Sequence, residues 1–402
     1  MDFSFATLTL LSIPLISAFV GWSTNFLALK MMFYPMEFVG IKPIFGWQGL
    51  IPAKRKEMAE IAAELVLGKL LNTKELAAKL EAKELIIVME RRLKQVLRKI
   101  VDDVMRESAP KVWASMPVHG KNLVYARIEA DIPNIVHNMV DDFKHNVEEI
   151  IDIKELVVTK LMESPEIINE IFLKSGEKEF PFVEHSGFIF GLLFGFPTMI
   201  IWMYMPEWWV LPLGGLIVGY LTNWLALKVI FEPKHPTKVM GLTFQGMFLK
   251  RQDEVSRVYS EIIEEKLVTS ENILKTALYG SGSGQLLELI ELHVNDAIDR
   301  YVAFAQPYFT LGVGTEAYYK MREMSSKHIF DNTENYIPYA FEYIKKTLGI
   351  ADELSARMKR LSPEEFEGVL RPAYEADEWK LILTGTLLGM GAGFMQLYFV
   401  FM

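Results

Sequence analysis

Residues 21–35 read Gly21-Trp-Ser-Thr-Asn-Phe-Leu-Ala-Leu-Lys-Met-Met-Phe-Tyr-Pro35. The same theme returns 198 positions later as Gly219-Tyr-Leu-Thr-Asn-Trp-Leu-Ala-Leu-Lys-Val-Ile-Phe-Glu-Pro233. Nine of the fifteen aligned positions are identical. Working outward at that offset, Pro14 and Val20 fall on Pro212 and Val218, and Ser164-Pro165-Glu166 falls on Ser362-Pro363-Glu364. Gly187, Gly191 and Gly195 likewise fall on Gly385, Gly389 and Gly393. Self-similarity of this kind predicts one structural unit used twice, with copies at about 1–198 and 199–402.

Each copy carries its charge unevenly. Half the chain is hydrophobic (51%) although 23% is charged, and the mean hydropathy is positive, so the two classes of residue must be segregated. Residues 3–29, 186–206, 208–227 and 381–402 contain no charged side chain. Each stretch is about the 20 residues that a helix needs to cross a hydrocarbon core. The expectation is an all-α integral membrane protein with transmembrane helices over 1–29, 186–206, 208–227 and 381–402, and helical soluble regions at 30–185 and 228–380. The Met1–Val20 stretch lacks a basic leader, and its apolar run continues into the repeated motif, so it is expected to be retained rather than cleaved.

Orientation follows from the 42 lysines and arginines, none of which lies in the first 29 residues, in 186–227 or in the last 22. They flank the other helix ends instead, as Lys30, Lys42, Lys54, Arg55, Lys56, Lys228, Lys234, Lys238, Lys250, Arg251 and Lys380. The positive-inside rule then places both soluble regions in the cytoplasm and makes the protein a multi-pass component of the inner membrane. Because each copy crosses twice, the second enters in the direction of the first. The two repeats are therefore parallel, related by a pseudo-twofold axis along the membrane normal.

The soluble regions read as amphipathic helices. Ile86, Met89, Leu93, Val96, Leu97, Ile100 and Val104 mark one helix face, and Leu286, Leu289, Ile290, His293, Ala297 and Tyr301 mark another. Helix starts are signalled at Thr73, Ser270-Glu271 and Ser362-Pro363-Glu364-Glu365. Gly280-Ser-Gly-Ser-Gly284 reads as a flexible loop, and it lacks the lysine of a phosphate-binding loop. Gly46-Trp-Gln-Gly49 and Thr243-Phe-Gln-Gly246 read as short juxtamembrane connections that could lie on the headgroups.

Candidate functional residues fall into three groups. Small residues four apart let helix backbones approach closely: Ser17 and Gly21; Gly187, Gly191 and Gly195; Gly215 and Gly219; Gly385, Gly389 and Gly393. Thr24-Asn25 and Thr222-Asn223 place carboxamides inside apolar segments, where each must find a partner because lipid offers none. On one face with Gly21 and Gly219, the two asparagines are expected to meet across the pseudo-twofold axis. Lys30, Lys54, Arg55, Lys228, Lys250 and Arg251 form juxtamembrane clusters suited to anionic headgroups. His137, Asp141 and His145 share a helix face at metal-capable spacing, among acidic neighbours that favour a solvated surface.

Several classes are disfavoured. With no cysteine there are no disulfides, thiolate metal sites or cysteine nucleophiles. A net charge of −9 argues against nucleic acid as a partner. No nucleophile–base constellation is visible, so neither a catalytic residue nor a cofactor is expected, and the protein is read as a non-enzyme.

The block carried by Gly21, Thr24, Asn25, Leu27, Ala28, Phe33, Pro35, Gln48, Gly49, Lys54 and Glu57 resembles bacterial membrane proteins of domain-of-unknown-function family 445. Gly219, Thr222, Asn223, Leu225, Ala226, Phe231, Pro233, Gln245, Gly246, Arg251 and Glu254 carry it a second time. The resemblance implies an inner-membrane protein with helical soluble regions, and it brings no activity, cofactor or catalytic residue with it. The expected function is a non-enzymatic scaffold or conduit handling lipid-like molecules at the membrane surface, with membrane lipids as partners and a homo-oligomer as a further possibility. The alternative is a small-solute or ion transporter built around Asn25 and Asn223.

Overall fold

The computed structural model describes residues 3–41, 45–65, 68, 70–239, 241–309, 315–371 and 378–401. Four helices are long and apolar enough to cross a membrane, over Thr9–Phe33, Glu179–Tyr204, Val210–Phe231 and Glu378–Phe401. They are called the first to fourth spans below. The helices outrun the uncharged stretches because a helix continues through its flanking polar residues. The first runs on to Phe33, past Lys30, and the second starts at Glu179. Lys42 lies outside the described residues.

The chain divides into two compact units that do not follow the soluble regions expected from charge. One unit comprises Met1–Leu65, Lys160–Ile262 and Leu354–Met402, and the other comprises Val66–Thr159 and Ile263–Glu353. Each soluble region is thus shared between both units.

In the first unit the spans pair as first with second and third with fourth, and the second and third also pack together. Apolar residues surround each span. Ile13 and Ala18 are fully enclosed, whereas Leu15 and Phe19 point outward, as expected of helices that bury one side in protein and the other in lipid. Directly after the first span comes a hairpin of Val39–Ile41 and Phe45–Trp47, and after the third a hairpin of Thr237–Val239 and Leu242–Phe244. Both are antiparallel. The expected juxtamembrane connections are therefore return strands, so the fold is mainly, not wholly, α-helical. Such strands are hard to foresee, since three residues bordered by glycine and proline carry almost no periodicity.

The second unit holds the long amphipathic helices Ala82–Ser108, Val118–Ile150, Ser283–Phe309 and Thr315–Tyr336, each packed on two of the others. Their apolar stripes are partly buried in these contacts, with Met89, Ile100, Val104, Leu289, Ile290 and Ala297 buried. Ile100, Val104, Met105, Trp113, Tyr125 and Met321 share one core. Asp102 sits at its edge and accepts from Trp113 Nε1 (3.1 Å) and Tyr125 Oη (2.6 Å). Burial first, and the Asp102 bond second, push the Tyr125 hydroxyl up to about 12. Polar pairs link the helices outside the core: the ion pairs Arg98 with Glu129 (2.7 Å) and Arg300 with Asp131 (3.0 Å), and the contact of His293 Nε2 with Asp142 (2.9 Å).

Helices start at Thr73 and Ser270, as expected, and Asn72 and Thr269 cap them from one position earlier, since the capping side chain must stand outside the helix to reach the N–H groups of its first turn. Ser362 does cap its helix, in a reciprocal capping box with Glu365. The glycine–serine run is not a loose loop. Helix resumes at Ser283, and the Ser281 N–H and Oγ both donate to Glu155 (2.9 and 2.7 Å).

Candidate functional site

Close backbone approach organises the spans. A Cβ added to Gly21 would strike the carbonyl oxygen of Gly187, and one added to Gly219 would strike that of Gly385. Ser17 faces Gly191 and Gly195, Gly215 faces Gly389, and Gly393 meets the backbone of Leu211 and Pro212. All ten small residues singled out from sequence therefore lie in the two seams. Helices in lipid have no hydrophobic drive to associate, so close packing of this sort must supply the attraction.

Each seam delivers one asparagine to a backbone carbonyl. Asn25, 1% exposed, donates from Nδ2 to the Val183 carbonyl oxygen at 2.7 Å. Asn223, 3% exposed, donates to the Leu381 carbonyl oxygen at 2.8 Å. Both bonds span 158 residues. Thr24 and Thr222 turn their hydroxyls back onto their own helices, at Gly21 and Val218. The expected meeting of the two amides is therefore corrected: each asparagine ties its own pair of spans, and both Oδ1 atoms are left without a partner. The reason is local. Glycines at 187 and 385 let the facing helix come so near that the carboxamide reaches main chain before it can reach its counterpart.

The basic residues divide by environment. Lys30 lies over the Phe26 ring at 4.9 Å, and Lys228 lies over Trp224 at 4.9 Å while pairing with Glu232 at 3.3 Å. Lys54 stands 3.8 Å from Glu57, and Arg55 and Lys250 are exposed. Arg251 behaves differently from the headgroup ligand expected. It bonds the fully buried Glu179 and, at 2.9 Å, Glu254, leaving little for a lipid. Lys178 completes a ring of four charges by donating to Glu254 at 2.7 Å. The bonds from Arg251 and then Lys178 hold the Glu254 carboxyl down at about 2.

Other rim residues escaped sequence reasoning. Asn169 donates to the Phe33 carbonyl oxygen at 2.8 Å, and at the position 198 further on Glu367, 4% exposed, accepts from Lys234 at 2.7 Å. Only the Ser-Pro-Glu signal at 164 and 362 marked the helices that carry them. At the end of the third span lies a cavity of about 170 Å3, lined by Trp224, Leu227, Lys228, Phe231, Glu232, Arg371 and Glu378. A small pocket of about 10 Å3 touches all four spans, bordered by Ser17, Thr198, Gly215, Gly393 and Gln396. His137, Asp141 and His145 are exposed, and the His145 ring bonds the Asp141 carbonyl instead of turning to a shared centre. Among the described residues no three metal-capable side chains converge.

Glycine-seamed apolar helices with buried amides and a charged rim define a helical membrane protein. Sequence comparison agrees with that class. Over 78 residues the chain is 32% identical to a UPF0754 membrane protein from a Synechococcus strain, covering 19% of this chain and 18% of that protein. It is 29% identical over 84 residues to one from Staphylococcus epidermidis, covering 20% and 22%. For one from Bacillus pumilus the identity is 31% over 88 residues, covering 21% and 23%. The chain thus spans about a fifth of the length of these curated relatives. No family model matches it, and no solved structure gives a significant match.

Proposed function

We propose that this protein is a non-enzymatic membrane scaffold that engages lipid headgroups at the rim of a closed helix bundle. The observation that supports this reading is the contrast between the interior of the bundle and its rim. The pocket of about 10 Å3 that borders all four spans is near the smallest that holds one water. The cavity of about 170 Å3 beside Lys228, Glu232, Arg371 and Glu378 offers both signs of charge and the Trp224 ring, chemistry suited to phospholipid headgroups. The core shared by Ile100, Val104, Trp113, Tyr125 and Met321 in the second unit favours the scaffold over the conduit.

The same proposal holds that the chain arose by tandem duplication and places its two copies in parallel, with the polar regions on the cytoplasmic side of an inner membrane. Its support is the recurrence of seam, amide bond and hairpin 198 residues apart and the distribution of lysine and arginine. Membership of domain-of-unknown-function family 445 belongs to this reading too, on the motif at Gly21–Pro35 and Gly219–Pro233. The partners are membrane lipids, with a second copy of the chain admitted along lipid-facing flanks such as Ile189 and Leu193. Nucleic acid is not among them.

Phospholipid co-purified with the detergent-extracted protein, counted by mass spectrometry, tests the proposal. Lys228→Glu combined with Trp224→Ala is expected to lower bound phospholipid several-fold. Unchanged lipid in a folded variant contradicts it. One observation favours transport as a second reading: the carboxamide oxygens of Asn25 and Asn223 are buried and unpartnered. Solute flux in reconstituted vesicles that disappears in Asn25→Leu with Asn223→Leu supports that reading, and flux that persists removes it.

A further inference from the structure

The two hairpins are small, exposed and alike, and neither the seams nor the rim cavity uses them. Each is fastened to the end of a span. The Gly49 N–H donates to the Pro35 carbonyl oxygen and the Gly246 N–H to that of Pro233, both at 2.9 Å. Gln48 Nε2 donates to the Met36 carbonyl at 2.9 Å, and Gln245 Nε2 to the Lys234 carbonyl at 3.3 Å. Glycine is required at 49 and 246, where an added Cβ would strike the backbone of Phe33 and Phe231, the last residues of the spans. The hairpins are therefore held at a fixed depth.

What they hold out is apolar. Val39 and Ile41 are 63% and 76% exposed, and Phe244 is 49% exposed. Pairing of Val39 with Trp47 sets Val39, Ile41 and Trp47 on one face, because side chains alternate along a strand. In the second hairpin Thr237 and Phe244 share a face, with Lys238 and Thr243 on the other. A three-residue strand reaches only about 10 Å. The interfacial layer beyond each side of the hydrocarbon core is about 5–8 Å thick. A hairpin tied to the last turn of a membrane helix, and reaching little farther than that layer is thick, keeps its apolar face beside it.

We propose that Val39 and Ile41 of the first hairpin and Phe244 of the second insert at the boundary between headgroups and acyl chains, as two feet that set the depth of the bundle in one leaflet. The ligand class is the lipid surface itself. The inference rests on the membrane reading of the spans and does not depend on the rim cavity. Lys238, exposed on the opposite face of the second hairpin, is directed to the phosphate layer.

The chain lacks cysteine, so single substitutions can be labelled uniquely. Ile41→Cys, Phe244→Cys, Leu193→Cys and Leu123→Cys, each made in the full chain, carry a nitroxide in vesicles of phosphatidylethanolamine and phosphatidylglycerol. Collision with dissolved oxygen and with a water-soluble nickel chelate then reports depth. Labels at 41 and 244 are expected to show an oxygen-to-nickel ratio several-fold above that at Leu123, which is exposed in the second unit, and below that at Leu193 in the second span. Ratios at 41 and 244 equal to that at 123, with Leu193 still shielded, overturn the hairpin inference and leave the membrane reading intact. A water-accessible Leu193 overturns both.

Discussion

Asn25 shows what one polar residue costs and returns within lipid. Its Nδ2 satisfies a carbonyl of the facing helix, while its Oδ1 is buried without a donor, so the side chain contributes one bond and leaves one acceptor unmet. Interhelical hydrogen bonds in membranes contribute about 0.6 kcal/mol on average and up to about 1.7 kcal/mol. Asn25→Ala and Asn223→Ala are each expected to destabilise the bundle by about 1 kcal/mol, measured by unfolding in mixed micelles. An effect near zero at both would mean that the orphaned oxygen cancels the bond. Glu254 provides a second test at this scale. Its carboxyl titrates at about 2 in the folded chain against an ordinary value of 4.5, so the unfolded chain binds more protons between those values. The stability due to Glu254 is complete above about pH 4.5 and is lost as pH falls towards about 2. Glu254→Gln should flatten the dependence of unfolding on acidity in that window. An unchanged slope would show that the ring around Arg251 contributes little. Glu179, fully enclosed against Arg251, is the more sensitive member. Glu179→Ala strands a guanidinium at the rim and is expected to cost about 3 kcal/mol, since breaking one half of a buried pair costs about that much.

At the scale of elements, the seams are the feature on which the fold depends. Gly21→Val and Gly219→Val would force side chains into the carbonyls of Gly187 and Gly385, where only a shift of the whole helix gives room. Overpacking of this kind costs about 1–3 kcal/mol or more. Disulfide cross-linking of cysteines placed across a seam, efficient in the parent, should fall sharply in either variant. The spans themselves are legible in sequence because lipid permits no charge over about 20 residues, a constraint strong enough to see without alignment. The pairing of spans was half legible. Spacing marked Gly21 and Asn25 as one face, but nothing local says that the face meets Val183, 158 residues away, rather than Asn223. The ring of Lys178, Glu179, Arg251 and Glu254 was hidden for the same reason: its charges look like ordinary flanking residues until the helices that carry them come together. The hairpins were legible only as short connections, because three-residue strands have no measurable period.

At the scale of the molecule, the lesson concerns how two sequence regions become one body. Charge alone suggests two separate soluble regions, yet Val66–Thr159 and Ile263–Glu353 share one core of interleaved long helices. The apolar stripes at 86–104 and 286–301 were each readable as amphipathic, and each would expose its face if left alone. That each packs instead on the helices Val118–Ile150 and Thr315–Tyr336 follows from pairing, which no stripe can announce. The central claim concerns the whole chain, namely that its two halves enter the bilayer in the same direction. Single cysteines at Leu123, Leu292 and Trp208, all exposed, can be probed in sealed vesicles with an impermeant maleimide applied from one side and then the other. The account predicts that Leu123→Cys and Leu292→Cys react from the same side and Trp208→Cys from the opposite side. Leu123→Cys and Leu292→Cys reacting from opposite sides would contradict it.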